Sequence, residues 1–395
     1  MPGNKKIILS LIVGLLLSGI ALYVTFKNIP LPELVGYLKT LNYWWVIPAV
    51  AIALMSFLIR VVRWQLLLNP FKKTGFLSAY HPLMIGFMIN CLLPGRVGEL
   101  ARPAIFCKKE RVPFSRVLAT VGAERVFDVV VLLLSFVIVL ASVEISPTLD
   151  LTFGNYHLNE ATLEMIGMTT LQFCLALIAC IALVSIRQSR GFIKRTILSL
   201  PELLFFAGSP FKEKIREKLC VRLAHIIDNV ATGLDLLKSP KKLGLCLGLS
   251  FLVWAVAGIS YYVMSFGCPG IELSFLEMYT TMVILCLFIS LPSAPGFWGL
   301  WEAGGVFGLL IFGVSAKEAA GFTLANHVFQ MVPVIIAGLI SAIISSVNVV
   351  QVAYTNIKDR PRGKGARVEM NQGVYTDEVP HEYLEDFRAH GKSVD

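Results

Sequence analysis

Charged side chains lie inside or beside apolar sequence in the first half of the chain, and their types could do chemistry. The candidates are Arg96, Glu99, Arg102, Glu124, Arg125 and Asp128. A charge at the middle of a membrane-spanning helix costs roughly 2.5–3.5 kcal/mol on insertion scales, so such residues persist where they pair or face water. A guanidinium binds phosphate through two parallel hydrogen bonds, so the arginines indicate an anionic ligand. Glu99 or Glu124 could hold an empty arginine in place or exchange protons.

A related pattern returns about two hundred residues later with different polar residues. Both copies open with Phe-Leu-x-x-Tyr, at Phe76 and at Phe275, and both close on a related hexapeptide, at 123–128 and 325–330. The polar residues of the second copy are Glu302, Asn326, His327 and Gln330. A repeated apolar segment that leads to polar residues is a sequence indication of a transporter's binding site.

Prolines and glycines interrupt the apolar run in both copies. They are Pro94, Gly95 and Gly98 in the first copy, and Pro292, Pro295, Gly296 and Gly299 in the second. Irregular backbone at membrane depth is tolerated only where it is buried in protein or lines a wet cavity. Helices that begin after Gly98 and Gly299 would direct N–H groups at an anion near the midplane. We therefore expect these residues to form the hinges of two re-entrant hairpins.

Each candidate also has a structural interpretation. Glu124, Arg125 and Asp128 could form an interfacial cluster where the next span begins. Glu302 could be a packed carboxylate that accepts from free backbone N–H groups. His327 could relay protons or link helices by hydrogen bonds, and the second role is favoured.

The composition is that of an integral membrane protein. The chain has 395 residues, of which 56% are hydrophobic and 15% are charged, whereas soluble domains carry roughly 25% charged residues. The net charge is +9, but the basic residues flank apolar runs, so a nucleic-acid partner is a poor interpretation. The eight cysteines are scattered without a C-x-x-C pattern, and we expect neither a metal site nor a disulfide. No nucleotide or cofactor motif is present, so no cofactor is expected.

Loop charges predict the topology. Ile7 to Phe26 reads as a retained first span after a cytoplasmic amino terminus. The second span, 44–59, should end at the cytoplasmic face with Arg60 and Arg63. Phe76 to Leu93 would then dip in from the cytoplasm and return, and its counterpart, 275–291, would dip in from outside.

These observations predict an all-α polytopic membrane protein with about six full transmembrane helices and two re-entrant helical hairpins, arranged as inverted repeats. The membrane domain would cover 1–355, with repeats at about 76–143 and 275–350. A basic amphipathic segment, 187–242, and a disordered tail, 356–395, would lie in the cytoplasm. Eight full crossings are the alternative, which would expose the basic loop 96–116 on the outside.

The motifs resemble those of the flippase-like membrane domain family, which includes the transmembrane part of lysylphosphatidylglycerol synthases. The resemblance covers about residues 5–350 and rests on Leu93 to Glu99 with Arg102, on Glu124 to Asp128, and on Pro295-Gly296 with Gly299 and Glu302. The family usually has Pro-Gly-Gly-x-Gly-x-x-Glu, whereas Phe297 and Trp298 follow Gly296 here. The family often has an arginine at the position of His327.

The resemblance implies a module that moves a lipid and lacks the enzyme that makes that lipid, because the sequence after Val350 is too short for a synthetase domain. We expect a flippase or scramblase for an anionic or zwitterionic lipid in the cytoplasmic (inner) membrane. Its partners would be the lipid substrate, the bilayer and a separate lipid-modifying enzyme. The alternatives are an intramembrane head-group transfer enzyme that uses Glu99 and Glu124 as acid and base, and a non-catalytic partner of a lipid- or glycan-modifying enzyme.

Overall fold

The computed structural model describes residues 2–27, 29–70, 72–142, 151–153, 156–158, 187–199, 239–291 and 293–347, with isolated positions between 168 and 220. In these ranges the chain forms helices and one short antiparallel hairpin. The helices are α1 (Pro2–Phe26), α2 (Leu31–Thr40), α3 (Val46–Leu68), α4 (Phe76–Leu92), α5 (Gly98–Glu110), α6 (Phe114–Ser142), α7 (Arg187–Ser199), α8 (Pro240–Ser265), α9 (Phe275–Ile289), α10 (Leu300–Ile311) and α11 (Ala316–Ile344). The strands are β1 (Leu151–Phe153) and β2 (Tyr156–Leu158). The expected all-α class is confirmed, with this hairpin as a small addition.

Two series of four helices have matching lengths. The first series, α3 to α6, has 23, 17, 13 and 29 residues. The second series, α8 to α11, has 26, 15, 12 and 29 residues. The structure therefore extends the predicted repeats by one helix at the amino-terminal side of each.

The two series run in opposite directions. Ser260 Oγ on α8 donates to the Ala49 carbonyl on α3 over 2.8 Å. Arg63, further along α3, donates to Ser250 Oγ, which lies earlier on α8, over 2.7 Å. Because the partner number falls as the α3 number rises, α3 and α8 pack antiparallel. This arrangement fits the inverted repeats that the sequence predicts.

Capping side chains determine where two helices of the second series begin. Ser274 precedes α9, and its hydroxyl accepts from the Glu277 backbone N–H while the Glu277 carboxylate accepts from the Ser274 N–H. This reciprocal pair is a capping box. Ser315 caps α11 in a similar way, because its hydroxyl accepts from the N–H of Glu318.

The paired helices of each hairpin are shorter than a full crossing. α4 and α9 have 17 and 15 residues, which corresponds to about 25 Å and about 22 Å, less than the roughly 30 Å hydrocarbon core. Both are interrupted before the chain turns back, at 93–97 and at 290–299. The predicted breaks are thus present, although Pro292 lies outside the described residues.

Three helices in the described part are long and apolar enough to cross a membrane: Tyr43–Leu68, Lys241–Ser265 and Ala316–Ile344. A bent pair, Gly14–Phe26 with Leu31–Thr40, passes the same test with an 81° angle at its break. Most of residues 143–238, which include most of the segment 187–242, and the tail 356–395 lie outside the described residues. The count of six crossings therefore stays a prediction.

The second predicted span ends in the wrong place. The loop charges predict its end at position 59, with Arg60 and Arg63 at the cytoplasmic face. The structure continues α3 to Leu68 with both arginines buried inside it. They are tolerated there because carboxylates from α6 pair with them.

Glycine at position 98 lets the two arms of the first hairpin touch. Gly98 begins α5 and packs against Gly86 in the middle of α4, so that a Cβ on Gly98 would overlap the Gly86 carbonyl oxygen. The Gly98 N–H donates to Asn90 Oδ1 over 2.8 Å. α4 and α5 therefore pack backbone against backbone next to the break.

We expect Gly98→Ala to lower the stability of the protein by about 1–3 kcal/mol, because a methyl group has no space against the α4 backbone. The measurement is thermal unfolding of the purified protein in detergent. The matched control is Gly122→Ala on an exposed face of α6, where the added methyl meets nothing within 4 Å and helix propensity favours alanine. Equal melting temperatures for the two variants would show that the hairpin arms are not tightly packed.

Candidate functional site

The site is built around Arg63, whose side chain is fully buried on α3. Its two Nη atoms donate to the two carboxylate oxygens of Asp128 over 2.6 and 3.2 Å, the bidentate geometry that gives the strongest side-chain ion pairs. Nη1 also donates to Ser250 Oγ. Nε lies 3.6 Å from Glu124 Oε1, which is an ion pair too long for a hydrogen bond. One guanidinium thus joins α3 to α6 and α8.

Arg102 attaches α5 to the same centre. Its Nη1 donates to Glu124 Oε2 over 2.6 Å. Its guanidinium lies 3.6 Å from the centroid of the Trp64 ring on α3, a cation–π contact. The indole Nε1 of Trp64 donates to Thr120 Oγ1 on α6 over 2.9 Å, which fixes the ring under the arginine.

Asp128 is the carboxylate that contacts the largest number of arginines in this centre. In addition to the two bonds from Arg63, it lies 3.2 Å from Arg125 Nη2 and 3.6 Å from Arg60 Nη1. It also accepts from Trp254 Nε1 on α8 over 3.2 Å. The Arg60 guanidinium lies 5.0 Å from the ring centroid of Trp254. Three arginines therefore share one buried carboxylate.

Three half-exposed side chains form the outer edge of this centre. Glu99 Oε1 lies 3.8 Å from Arg125 Nη1 and 4.0 Å from Arg96 Nη1, and the three side chains are between 29% and 40% exposed. Arg96 Nη2 donates to the carbonyl of Ile289, the last residue of α9, over 2.9 Å. A cation at that carbonyl caps the carboxyl end of the helix. Arg96 therefore ties the break of the first hairpin to the second hairpin.

We call the eight charged residues of this centre the arginine network. They are Arg60, Arg63, Arg96, Glu99, Arg102, Glu124, Arg125 and Asp128. Five arginines face three carboxylates, so the network carries a surplus of positive charge. Several buried guanidinium nitrogens have no hydrogen-bond partner among the described residues. These are Nε of Arg60, Nε of Arg63, Nε and Nη2 of Arg102, and Nε of Arg125.

A small cavity opens beside the network between α4, α5 and α6. Its polar lining comes from Asn90, Glu99, Arg102 and Arg125. Its volume is about 20 Å³, which is room for about one water molecule. A phosphate head group does not fit this cavity as it stands in the structure.

The polar residues of the second copy form a separate centre. His327 Nδ1 lies 2.6 Å from Glu302 Oε1, and His327 Nε2 lies 2.8 Å from the Gly296 carbonyl oxygen. Glu302 Oε2 accepts from the Gly299 N–H over 2.7 Å. The carboxylate and the imidazole are both buried. We call these two residues the glutamate–histidine pair.

Aromatic rings and small residues enclose this pair. Trp301 stacks on the His327 ring with centroids 4.5 Å apart and planes 9° apart, and Trp298 lies 4.4 Å away. On the outer side of the break, Ser18 of α1 accepts from the Ala294 N–H over 2.8 Å. Gly296 has φ +69° and packs against the Cys91 carbonyl of the first hairpin, so the two breaks touch.

Asn326 lies next to the pair and also makes polar contacts towards α8. Gln330 Nε2 donates to its Oδ1 over 3.4 Å and to Ser260 Oγ over 2.9 Å. The Asn326 Nδ2 atom is buried and has no partner among the described residues.

The structure brings the six candidates of the first copy together, and it places Glu302, Asn326 and His327 in the second centre. Glu302 adopts the packed arrangement, in which its carboxylate accepts from a backbone N–H. His327 makes the interhelical hydrogen bonds that the sequence analysis favoured. The predicted hinge residues other than Pro292 all lie in or at the edges of the two breaks. Beside the arginine network, the described residues line the small cavity of about 20 Å³.

Sequence reasoning missed four members of the first centre, which are Arg60, Arg63, Trp64 and Trp254. The spacing of Arg60, Arg63 and Trp64 is i, i+3 and i+4, which puts all three on one face of a helix. This spacing could have identified them, but their position at the end of an apolar run suggested a loop. Within the described ranges, no group of three or more His, Cys, Asp or Glu side chains could hold a metal ion.

Apolar helices of membrane-spanning length, broken hairpins and buried charge define a polytopic α-helical membrane protein. The sequence model of the lysylphosphatidylglycerol synthase TM region matches residues 11–338, which is most of the chain. The chain therefore belongs to this family. No individual curated protein matches its sequence.

We expect Asp128→Asn to destabilise the protein by about 3–5 kcal/mol, because three arginines would lose their shared buried charge. The measurement is thermal unfolding in detergent. The comparison is Lys72→Gln, which removes the partly exposed ion pair between Lys72 Nζ and Glu110 Oε2 at 2.9 Å. The hydrogen bond from Lys72 lowers the pKa of Glu110, which shows that the two side chains interact. A surface ion pair of this kind nevertheless contributes less than about 1 kcal/mol to the free energy of unfolding. Similar losses in both variants would contradict the central role of Asp128.

Proposed function

We propose that the protein moves an anionic or zwitterionic lipid across the cytoplasmic membrane, and that the arginine network pairs with the phosphate of its head group. The observation that carries the proposal is a surplus of arginines over carboxylates inside an apolar bundle. The unpartnered guanidinium N–H groups of Arg60, Arg102 and Arg125 supply the donors that a phosphate oxygen requires. Membership of a family named for lysylphosphatidylglycerol synthases agrees with a phospholipid ligand.

Glu99 and Arg125 are the residues that exchange partners in this mechanism. Arg125 lies between two carboxylates, 3.2 Å from Asp128 and 3.8 Å from Glu99. A phosphate that approaches the exposed edge replaces Glu99 beside Arg125, and Glu99 takes the arginine back when the lipid leaves. The exchange keeps the Arg125 guanidinium paired at each stage, which avoids the cost of an unpaired ion at the edge of an apolar bundle.

The closed cavity requires a movement of the hairpins before a head group can reach Arg102. The contact between Arg96 and the Ile289 carbonyl is the polar link between the two breaks. Separation of this link widens the space beside Glu99 and Arg125. The acyl chains remain in the bilayer meanwhile, because their burial in hydrocarbon is favourable and only the head group needs a polar path.

The setting of this activity is part of the proposal. We place the protein in the cytoplasmic membrane with both termini in the cytoplasm, and we assign the supply of the lipid to a separate lipid-modifying enzyme. A head-group transfer enzyme is less well supported. Of its acid and base, Glu99 and Glu124, the second is buried and engaged by Arg102 at 2.6 Å and by Arg63 at 3.6 Å, so a substrate does not reach it in this structure.

We expect purified protein in liposomes to carry fluorescent phosphatidylglycerol or phosphatidylcholine between leaflets, measured by dithionite bleaching of the outer leaflet. A labelled diacylglycerol without phosphate gives the protein-independent rate. Arg125→Gln and Glu99→Gln should each slow the movement at least about tenfold, the effect of losing about 1.4 kcal/mol in the transport barrier. Lys108→Ala, on an exposed face of α5, is the matched control and should keep the parental rate.

The result that would overturn the proposal is a parental rate in both edge variants with intact folding by size-exclusion chromatography. Absence of lipid movement in the parent protein would also overturn it. Mass spectrometry of the recovered label separates the enzyme alternative, because a transporter returns the lipid unchanged and a transferase alters its head group.

A further inference from the structure

The hydrogen-bond geometry of the glutamate–histidine pair determines how many protons the pair holds. A carbonyl oxygen only accepts, so the contact between His327 Nε2 and the Gly296 carbonyl requires a proton on Nε2. The 2.6 Å contact between His327 Nδ1 and Glu302 Oε1 requires one more proton between these two atoms. The pair in this structure therefore holds two protons and is neutral as a unit, whether Nδ1 or Oε1 carries the shared proton.

When the pair loses one proton, one of the two contacts breaks. This holds whether Nε2 or Nδ1 keeps the remaining proton. If Nε2 remains protonated, the lone pair of Nδ1 faces a carboxylate oxygen at 2.6 Å. If Nδ1 remains protonated, the lone pair of Nε2 faces the Gly296 carbonyl oxygen at 2.8 Å. Each arrangement is repulsive, and each leaves a net negative charge in a buried place, which is costly. The attachment of α11 to the second break thus depends on the shared proton.

We propose that the glutamate–histidine pair is a proton-binding site, and that its shared proton fastens the break of the second hairpin to α11. When the proton leaves, the break is released from His327. This assigns the proton as the ion that drives or gates movement of the second hairpin. The site goes beyond the lipid transport proposed above and does not depend on which lipid is moved.

The surroundings suit a site that gains and loses one charge. Trp301 and Trp298 lie within 4.5 Å of the imidazole ring, and the faces of indole rings stabilise a cation such as imidazolium. Among the described residues no Lys or Arg forms an ion pair with Glu302. Among the described residues, titratable groups close by include the Tyr261 phenol on α8 and the Cys286 thiol on α9 next to it.

Buried polar groups without hydrogen-bond partners lie on the helices that surround the pair. In the described part of the chain they include Tyr261 Oη, Trp301 Nε1, Thr323 Oγ1 and Asn326 Nδ2. Thr323 and Asn326 precede His327 by four residues and by one residue on α11, and Trp301 adjoins Glu302 on α10. All four atoms belong to groups that can donate a hydrogen bond, and Tyr261 on α8 lies close enough to Glu302 to interact with it electrostatically.

The arginine network contains no histidine, and this contrast supports the assignment of the proton site to the second repeat. Arginine stays protonated at all physiological pH values, so the cations of the arginine network do not take part in proton exchange. Histidine is the side chain whose charge changes between about pH 5 and about pH 8. The protein therefore pairs a permanently charged centre in one repeat with a titratable centre in the other.

The test uses the full chain in detergent with fluorotryptophan at its six tryptophans, observed by fluorine NMR. We expect the resonances of Trp298 and Trp301, assigned by replacement of each with Phe, to shift along a one-proton curve between about pH 5 and about pH 9. A soluble gadolinium complex should broaden the Trp298 resonance more at the high-pH end, because the break is released there. No lipid is needed, so the outcome is independent of the transport assay.

Glu302→Gln is the informative variant. The glutamine amide N–H can donate to Nδ1 and its oxygen can accept from the Gly299 N–H, so the fastened geometry persists without an exchangeable proton. We expect the two resonances to stop titrating and to stay protected from gadolinium at every pH. His327→Gln should also abolish the titration. His81→Gln, which alters a buried histidine on α4, is the matched control and should leave it unchanged.

Titration of Trp298 and Trp301 that persists in Glu302→Gln would overturn the proposal, and so would a flat profile in the parent protein. A titration without any change in gadolinium broadening would overturn the fastening role. If the variants do not fold, nitrogen NMR of the parent protein labelled at histidine decides the matter. The His327 signals must then change from both nitrogens engaged with protons to one deprotonated nitrogen as the pH rises.

Discussion

The buried ion pair between Arg63 and Asp128 is the interaction on which the arrangement of the first repeat depends. Two charges taken from water into an apolar bundle are costly unless their geometry is good and their remaining donors and acceptors are used. The pair meets both conditions through its bidentate bonds, the Ser250 hydroxyl and the Trp254 indole. Since these partners come from α3, α6 and α8, the helices cannot shift relative to one another without leaving a charge unpaired. The exposed edge, where Arg125 and Glu99 lie, is then the part of the network that is free to exchange partners.

The two repeats share a backbone plan and differ in their chemistry. In the first, arginines and carboxylates form an ionic centre whose cations keep their charge. In the second, the corresponding positions on α11 carry an amide and an imidazole, and the acid comes from α10. A permanent cation suits the binding of an anion, whereas an imidazole that shares a proton with a carboxylate suits a change of state. His327 gives the second repeat an imidazole at the position where the first repeat has Arg125.

Much of this architecture was predictable from local sequence. The turn residues at Pro94 and Gly98 and at Pro295 and Gly299 indicated both breaks, and the repeated hexapeptide indicated the helices that follow them. The centre itself was only half predictable. Arg60 and Arg63 follow an apolar run, and by the loop-charge rule such a position indicates the edge of the membrane. Their partner in the structure, Asp128, is 65 residues from Arg63. Pairing across such a separation depends on tertiary packing, which periodicity and loop charge do not encode. The capping of the Ile289 carbonyl by Arg96 was missed for the same reason, because it links two residues that lie 193 positions apart in different repeats.

The small volume beside the network determines how the hairpins must move. A cavity of about 20 Å³ admits one water, so a head group requires displacement of a neighbouring element. α4 and α5 touch backbone to backbone at Gly86 and Gly98, and Arg102 anchors α5 to Glu124, so opening within the first hairpin would break close packing and an ion pair together. Between the hairpins, the described contacts include Arg96 at the Ile289 carbonyl and Gly296 against the Cys91 carbonyl. Movement of one hairpin against the other would leave the close packing inside the first hairpin intact. That route begins at Gly296, the residue whose carbonyl the glutamate–histidine pair holds.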